Sequence, residues 1–531
     1  MADLAAKLSY SGHPCGPKGC QETVPNAGRL AIEDYAMKLP RRAFLHLAAG
    51  AALLPTASRM AHPQSRPTGQ PADPLVRPLA ERLAAYVNGL RYEDIDAATI
   101  ERVKTHVIDT IGCGIGAFDE RPVGICRDIT RAVGGNATII GTDRRTTPDL
   151  ASFANGAAFR YFDFNDTYTG RFSVHPSDHI APCLAVAEAE RASARDLIAA
   201  IVVAYEVNCR LVDALDITTR GWDPPVMSLP AVALAAGKLM KLSPGQLTQA
   251  VNLAVNDHIP MAQTRVQTLS DWKGFADAEA ARNAVFAALL ARGGLTGPAP
   301  IFEGLSGFFK QVSGAADIDP NTFGRPDVPF LIHRCAIKPY PAVIYTQTAI
   351  VAGIEVAKAV GALDRIATIE IATTSRGYQR TGSEPEKWAP KTRETADHSL
   401  PYITARAMFD GDITNESFAP DRFGDPGILA FMQRIKVSED PVLTARMGGA
   451  VPTRVTAILA DGQRISREVD YAPGFAERPM SRPEVERKFR GNVGRRWSPQ
   501  RTDAILQALW ALDQTDDLSG LLGLLSMQPK P

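Results

Sequence analysis

The chain has 531 residues, 45% apolar and 22% charged, which is ordinary for a globular protein and longer than one hydrophobic core usually supports, so two domains are expected. Lysine plus arginine equals aspartate plus glutamate at 58 each, so no overall field draws in nucleic acid or an anionic membrane. The seven cysteines (Cys15, Cys20, Cys113, Cys126, Cys183, Cys209 and Cys335) form no CxxC pair, which argues against a disulfide framework and against a zinc or iron–sulfur site.

Residues 1–36 are rich in Gly, Pro and polar residues without periodicity and read as disordered, or as an upstream extension outside the working protein. Over 37–61, paired Arg41-Arg42, then Phe44-Leu45 and a short apolar run ending near Pro55, resemble a twin-arginine export signal. That run is too short to span a bilayer, so no membrane anchor is expected. It predicts a periplasmic location, with a cytoplasmic protein carrying a non-functional leader as the alternative. Residues 62–74 form a Pro/Gly/Ser linker.

From 75 to 325 the pattern is helical. Asp96 precedes a run in which Ile100, Val103, Val107, Ile108 and Ile111 make an apolar stripe, and 193–215 and 230–257 continue in the same manner. These runs are rich in Ala and Gly, which lets helices approach closely, and they lack the strand–helix alternation of a Rossmann or barrel fold. The glycine cluster at 112–116 follows no strand and is not read as a nucleotide loop. Lys273 heads a long helix that should stop at Gly293-Gly294. The character changes over 326–475: residues 365–374 alternate like a strand, and 454–471 read as a hairpin around Asp461-Gly462. Residues 476–531 return to helix and are expected to rejoin the helical domain. The fold class is thus mainly α, a large helical domain plus a smaller α+β lid.

Between two apolar runs, Tyr161 to Arg191 gathers Asp163, Asn165, Asp166, Thr167, His175, Asp178 and His179. If Asp163 to Thr167 ends a helix, the i,i+4 spacing puts acid and hydroxyl on one face; Asp178 and His179 are assigned to helix capping. Three further polar sites are Lys273, Lys338 before a Pro-Tyr-Pro turn, and Asp397/His398/Tyr402. A histidine with neighbouring acids suits proton transfer near neutral pH, and two lysines suit the carboxylates of an anionic substrate. No HExxH spacing suggests a metal and no GxSxG elbow suggests a serine hydrolase. The set selects elimination, decarboxylation or epimerisation of a polycarboxylate.

DFNDT…HPSD, KGFADAEAARNAVFAALLA, GLTGPAPIFEG, IKPYP and TADHSLPYITARAMFDG, in this order, resemble the MmgE/PrpD family, over about 75–525. That family includes 2-methylcitrate dehydratase, cis-aconitate decarboxylase and iminodisuccinate epimerase. The resemblance implies a homodimer with cofactor- and metal-independent acid–base chemistry on a small polycarboxylate at the domain interface. It assigns His175 to proton transfer, oriented by Asp163 and Thr167, with Lys273 and Tyr402 also catalytic. Lys338 and His398 would contact substrate. Asp223 stands where the decarboxylase branch has His, which points away from decarboxylation, while Val343 replaces an acidic residue of the dehydratase branch. The expected activity is a hydro-lyase acting on a 2-methylcitrate-like hydroxy-acid. The alternatives are a decarboxylase or epimerase on a related acid, and an inactive carboxylate-binding exported protein.

Overall fold

The computed structural model describes residues 77–526. The leader, linker and extension expected over 1–36, 37–61 and 62–74 lie outside the described residues.

The first body is built mainly from the helices α1 (Leu79–Gly89), α2 (Ala97–Gly116), α3 (Arg121–Thr130), α4 (Pro148–Arg160), α5 (Ile180–Ala189), α6 (Ala194–Ala214), α7 (Ser228–Leu239), α8 (Pro244–Asp257) and α9 (Ala276–Arg292). Their ends follow local chemistry. Asp96 caps α2 by accepting from the Thr99 amide, and capping boxes of Ser193 with Asp196 and Ser243 with Gln246 open α6 and α8. The run expected over 230–257 is broken by a turn in which Lys241 takes a left-handed conformation, giving α7 and α8 as an antiparallel pair.

Small residues set the packing distance, as the composition suggests. A Cβ on Gly156 of α4 would lie 3.1 Å from Ala278 Cβ of α9. The glycine cluster of α2 serves the same end: a Cβ on Gly112 would meet the Phe489 ring at 2.9 Å and one on Gly114 the Phe159 ring at 2.3 Å. Phe489 belongs to the C-terminal helix Arg482–Val493, which packs along α2. One hydrophobic core joins Val107, Ile201, Leu234, Phe489 and Leu522.

The second body has its own core, including Ile350, Ile371, Tyr402, Phe431 and Val455. It is a four-stranded sheet, β7 (Ile435–Glu439), β6 (Ile366–Thr373), β8 (Thr453–Leu459) and β9 (Arg464–Val469) in that spatial order, backed by α10 (Gln347–Val360) and α13 (Leu400–Asp410). β6 pairs parallel with β7 (Ile369 opposite Ile435) and antiparallel with β8 (Ile371 opposite Val455). The expected hairpin is β8–β9, turning at Gly462 with φ of 87°. The short helices α11 (Ser375–Thr381) and α12 (Arg393–Ala396) complete this body on the side of the site.

Three minor strands lie between the bodies: β3 (Asp166–Thr169) pairs antiparallel with β4 (Ser173–Val174) and with β5 (Ala336–Ile337). A separate two-residue ribbon joins β1 (Ala137–Thr138) to β2 (Arg145–Thr146). The helical reading of Asp163 to Thr167 is therefore corrected. α4 stops at Arg160, Asp163 sits in a left-handed turn (φ 51°), and Thr167 is in a strand opposite Ala336. Inter-strand pairing across the chain outweighs the local helical spacing.

Candidate active site

Asp163 is the centre of the site. Its side chain is buried, and its Oδ1 accepts from Arg160 Nη1 at 2.5 Å and from Lys338 Nζ at 2.7 Å, while Lys273 Nζ lies 3.1 Å from Oδ2. Lys338 Nζ also donates to the Asp163 carbonyl at 2.8 Å, which fixes the left-handed turn from both ends of the residue. Burial alone would raise this carboxyl, but Arg160, Lys273 and Lys338 outweigh it and hold Asp163 well below the usual carboxylate range. Burial lowers both lysines, Lys338 to about 8.

Two histidines flank the carboxylate, His175 Nε2 at 3.7 Å from Oδ1 and His398 Nε2 at 3.7 Å from Oδ2. His175 Nδ1 lies 2.6 Å from the Asp166 carbonyl, which only accepts, so the proton resides on Nδ1 and the Nε2 lone pair is free. Thr167 Oγ1, 3.2 Å from the same nitrogen, braces the ring. Burial, then the charges of Arg160 and Lys338, push His175 well below its ordinary value, so it is neutral at neutral pH. His398 Nδ1 is hydrogen-bonded to Asp397, whose other oxygen accepts from Arg393 Nη1 at 2.9 Å. Burial and Lys273 bring His398 down to about 4, so it too is neutral.

Behind this pair, Asp166 accepts from Tyr205 Oη at 2.8 Å and from the Ser177 amide at 2.9 Å, and its Oδ2 lies 2.9 Å from His106 Nδ1. Asp178 and His179 are not capping residues: Asp178 accepts from Asn165 Nδ2 at 2.7 Å, and His179 Nε2 lies 3.0 Å from Ser228 Oγ, both in the interior. Their burial overrides the capping chemistry that their sequence position offered.

Asp163, His175 and His398 open onto a cavity of about 90 Å³ whose wall also includes Arg160, Asp223, Arg265, Val343, Tyr345, Arg376 and Arg380. Asp223 accepts from Arg265 Nε at 2.7 Å. A larger groove of about 1060 Å³ runs past Tyr161, Arg393 and Lys488, but none of Asp163, His175 and His398 lines it.

The residues singled out from sequence thus part company. Asp163, His175 and His398 meet at the cavity, and Thr167 supports His175 from behind. Lys273 and Lys338 lie behind Asp163 and grip its carboxylate, where the sequence reading gave them the substrate. Tyr402 does not reach the cavity: it lies in the second core, and its hydroxyl donates to the Ser417 carbonyl. Arg160, Arg265, Arg376 and Arg380 were missed. The signal for Arg160 was a lone charge ending an apolar helix just before YFDF; the others carried none. Asp163, Asp397 and His398 have ligand atoms within 4.8 Å of one another, as a cation site requires. Yet Arg160, Lys273, Lys338 and Arg393 already surround the two carboxylates, so the donor set repels a metal ion more than it invites one.

Two family models match this chain, the MmgE/PrpD N-terminal domain over residues 81–321 and the MmgE/PrpD C-terminal domain over residues 340–512. The chain belongs to the MmgE/PrpD family. It is 28% identical over 457 residues to a 2-methylcitrate dehydratase of Cupriavidus necator (80% of this chain, 91% of the relative). It is 27% identical over 481 residues to a cis-aconitate decarboxylase of Homo sapiens (86% and 96%) and 25% over 451 residues to a 2-methylcitrate dehydratase of Escherichia coli strain K12 (79% and 91%). As an MmgE/PrpD member with these relatives it is a lyase. The boundary between the two family models falls beside β5, where the two bodies join.

Proposed function

We propose that this MmgE/PrpD lyase removes water from a hydroxy-polycarboxylate of the 2-methylcitrate type. The observation that carries the reading is the fixed tautomer of His175, a neutral imidazole whose basic Nε2 faces the cavity beside a permanently charged Asp163. His175 Nε2 takes the C–H proton next to a substrate carboxylate, and Asp163 stabilises the imidazolium that forms. The imidazolium then protonates the departing hydroxyl, so the carbon–oxygen bond breaks, water leaves, the alkene forms and His175 returns to neutral. The dehydratases of Cupriavidus necator and Escherichia coli support the choice of substrate. The family resemblance of Asp223, which here holds Arg265, speaks against decarboxylation.

Purified protein mixed with 2-methylcitrate should produce ultraviolet absorbance of the alkene, and His175→Ala should lower kcat by at least about a hundredfold, the ordinary worth of general base catalysis. No absorbance at high enzyme concentration retires the substrate. Carbon dioxide release from cis-aconitate, or deuterium exchange without alkene, would move the activity to the decarboxylase or epimerase reading. Ligand binding that survives His175→Ala with no turnover in the parent would mark an inactive binding protein.

Two further readings belong with this one. A homodimer predicts twice the chain mass in sedimentation. The leader over 37–61 predicts periplasmic delivery, which a reporter fused to residues 37–70 would show, with Arg41-Arg42→Lys-Lys abolishing it.

A further inference from the structure

The cavity raises a question of charge. A polycarboxylate needs cations, yet nearly every cation at the site is already spent on the protein's own acids. Lys273 and Lys338 hold Asp163; Arg160 is shared between Asp163 and Asp178; Arg265 is shared between Asp223 and Asp277, at 2.7 and 3.1 Å. The histidines are neutral. Of the arginines and lysines in the wall, that leaves Arg376 and Arg380, which make no ion pair, hydrogen bond or ring contact among the described residues.

Both come from α11 and stand one turn apart, at i and i+4, so they share a face of the helix. Like charges at that spacing repel, so the free protein gains nothing from the pair. The helix is nevertheless held firmly. Thr374 caps it through the Gly377 amide at 3.1 Å, and Thr381 Oγ1 donates to the Gly377 carbonyl at 2.6 Å. α11 packs against the turn Ile344–Thr346, and from that turn Tyr345 Oη meets Ser173 Oγ at 3.0 Å across the two bodies. Two half-buried guanidiniums therefore sit on a braced helix of the lid, facing the same cavity as His175.

We infer that Arg376 and Arg380 form the carboxylate subsite of this enzyme, gripping one substrate carboxylate from the lid while the reacting carbon faces His175. The inference rests on the polycarboxylate reading above and names the residues that recognise it. Arginine suits the task because its planar fork matches a carboxylate in two parallel hydrogen bonds. Placing the grip on the lid also makes substrate binding the event that draws the two bodies together.

The test needs no turnover. Tricarballylate has three carboxylates and no hydroxyl, and glutarate is the same chain without the central carboxylate. Each is titrated calorimetrically into the full-length protein and its variants. The wild type should prefer tricarballylate. Arg376→Gln and Arg380→Gln should each weaken tricarballylate about tenfold, the worth of one charged hydrogen-bond pair. The double variant should weaken tricarballylate further than either single variant, and Arg376→Lys should fall between, keeping charge without the fork. Neither side chain has a protein partner to lose, so unchanged thermal melting should accompany these effects. A double variant that binds tricarballylate like the wild type overturns the inference, as does a wild type that binds neither acid. Arginine-dependent binding in a protein that does not dehydrate 2-methylcitrate would leave the subsite standing and remove the dehydratase reading. Normal dehydration with unchanged KM in the double variant would do the reverse.

Discussion

At Asp163 one buried carboxylate serves three cations, so its charge is structural as well as chemical. Replacing it with Asn leaves Arg160, Lys273 and Lys338 facing an uncharged amide, and loss of one member of such a buried set costs about 3–5 kcal/mol. Urea unfolding of Asp163→Asn should show that loss, and adding Lys338→Met should restore part of it; full additivity of the two changes would argue that they do not interact. Lys338 also sets a pH limit. Burial brings it to about 8, below its ordinary 10.5, so as pH rises through about 8 it loses its proton and with it the positive charge that pairs with the carboxylate of Asp163. The expected kcat/KM profile falls above about pH 8, a limb that Lys338→Met should erase along with most activity. For stability the sign is opposite: the unfolded chain keeps the proton longer, so this group's contribution to the unfolding free energy rises between about pH 8 and 10.5. The residue types of this cluster were legible in the sequence, but their pairings were not. Lys338 finds Asp163 across 175 residues, and no local pattern says whether a buried lysine holds the substrate or the protein's own acid.

Among the elements, those with a strong period could be read from the chain and those defined by partners could not. The stripe of α2, the stop after α9 and the β8–β9 hairpin follow from spacing and turn chemistry. β3 and β5 are short strands that exist because they pair, and they turn the expected helical face of Asp163 and Thr167 into a turn followed by a strand. Their position depends on one glycine. Gly474 has φ of 91°, its carbonyl accepts from the Ile337 amide at 2.9 Å, and a Cβ there would lie 1.9 Å from the Ile337 carbonyl oxygen. Gly474→Ala must therefore displace the residue next to Lys338. We expect a loss of more than about 1 kcal/mol, as for a side chain forced into a left-handed conformation, together with a fall in kcat. Melting and turnover both at wild-type levels would show that β5 does not depend on this contact.

For the whole molecule, the change of character along the chain corresponds to two apolar cores, one in the helices and one around the four-stranded sheet. What composition could not show is how tightly they meet. The cavity holding His175 is about 90 Å³, well under the roughly 300–1,000 Å³ of typical ligand sites, so it is small for a polycarboxylate while the bodies are this close. Contacts from the lid to the loop before α9 help to hold them: the Leu269 amide donates to Thr395 Oγ1 at 3.1 Å, and Thr392 Oγ1 donates to the Leu269 carbonyl at 3.0 Å, beside the Tyr345–Ser173 contact across the bodies. Hydrogen bonds of this kind are each worth about 1 kcal/mol net, so they can break and re-form. An opening of the lid should therefore be populated in the free enzyme and suppressed by ligand, since closure around an anion adds contacts that only the closed form has. Hydrogen exchange checks this directly. Amides of residues 258–272 and of α11 should exchange faster in free protein than those of α6 and α7, and tricarballylate should slow them while leaving the central helices unchanged. Equal exchange with and without the acid would mean that the bodies do not separate to admit substrate, and access would then have to come through side-chain movement at the cavity mouth.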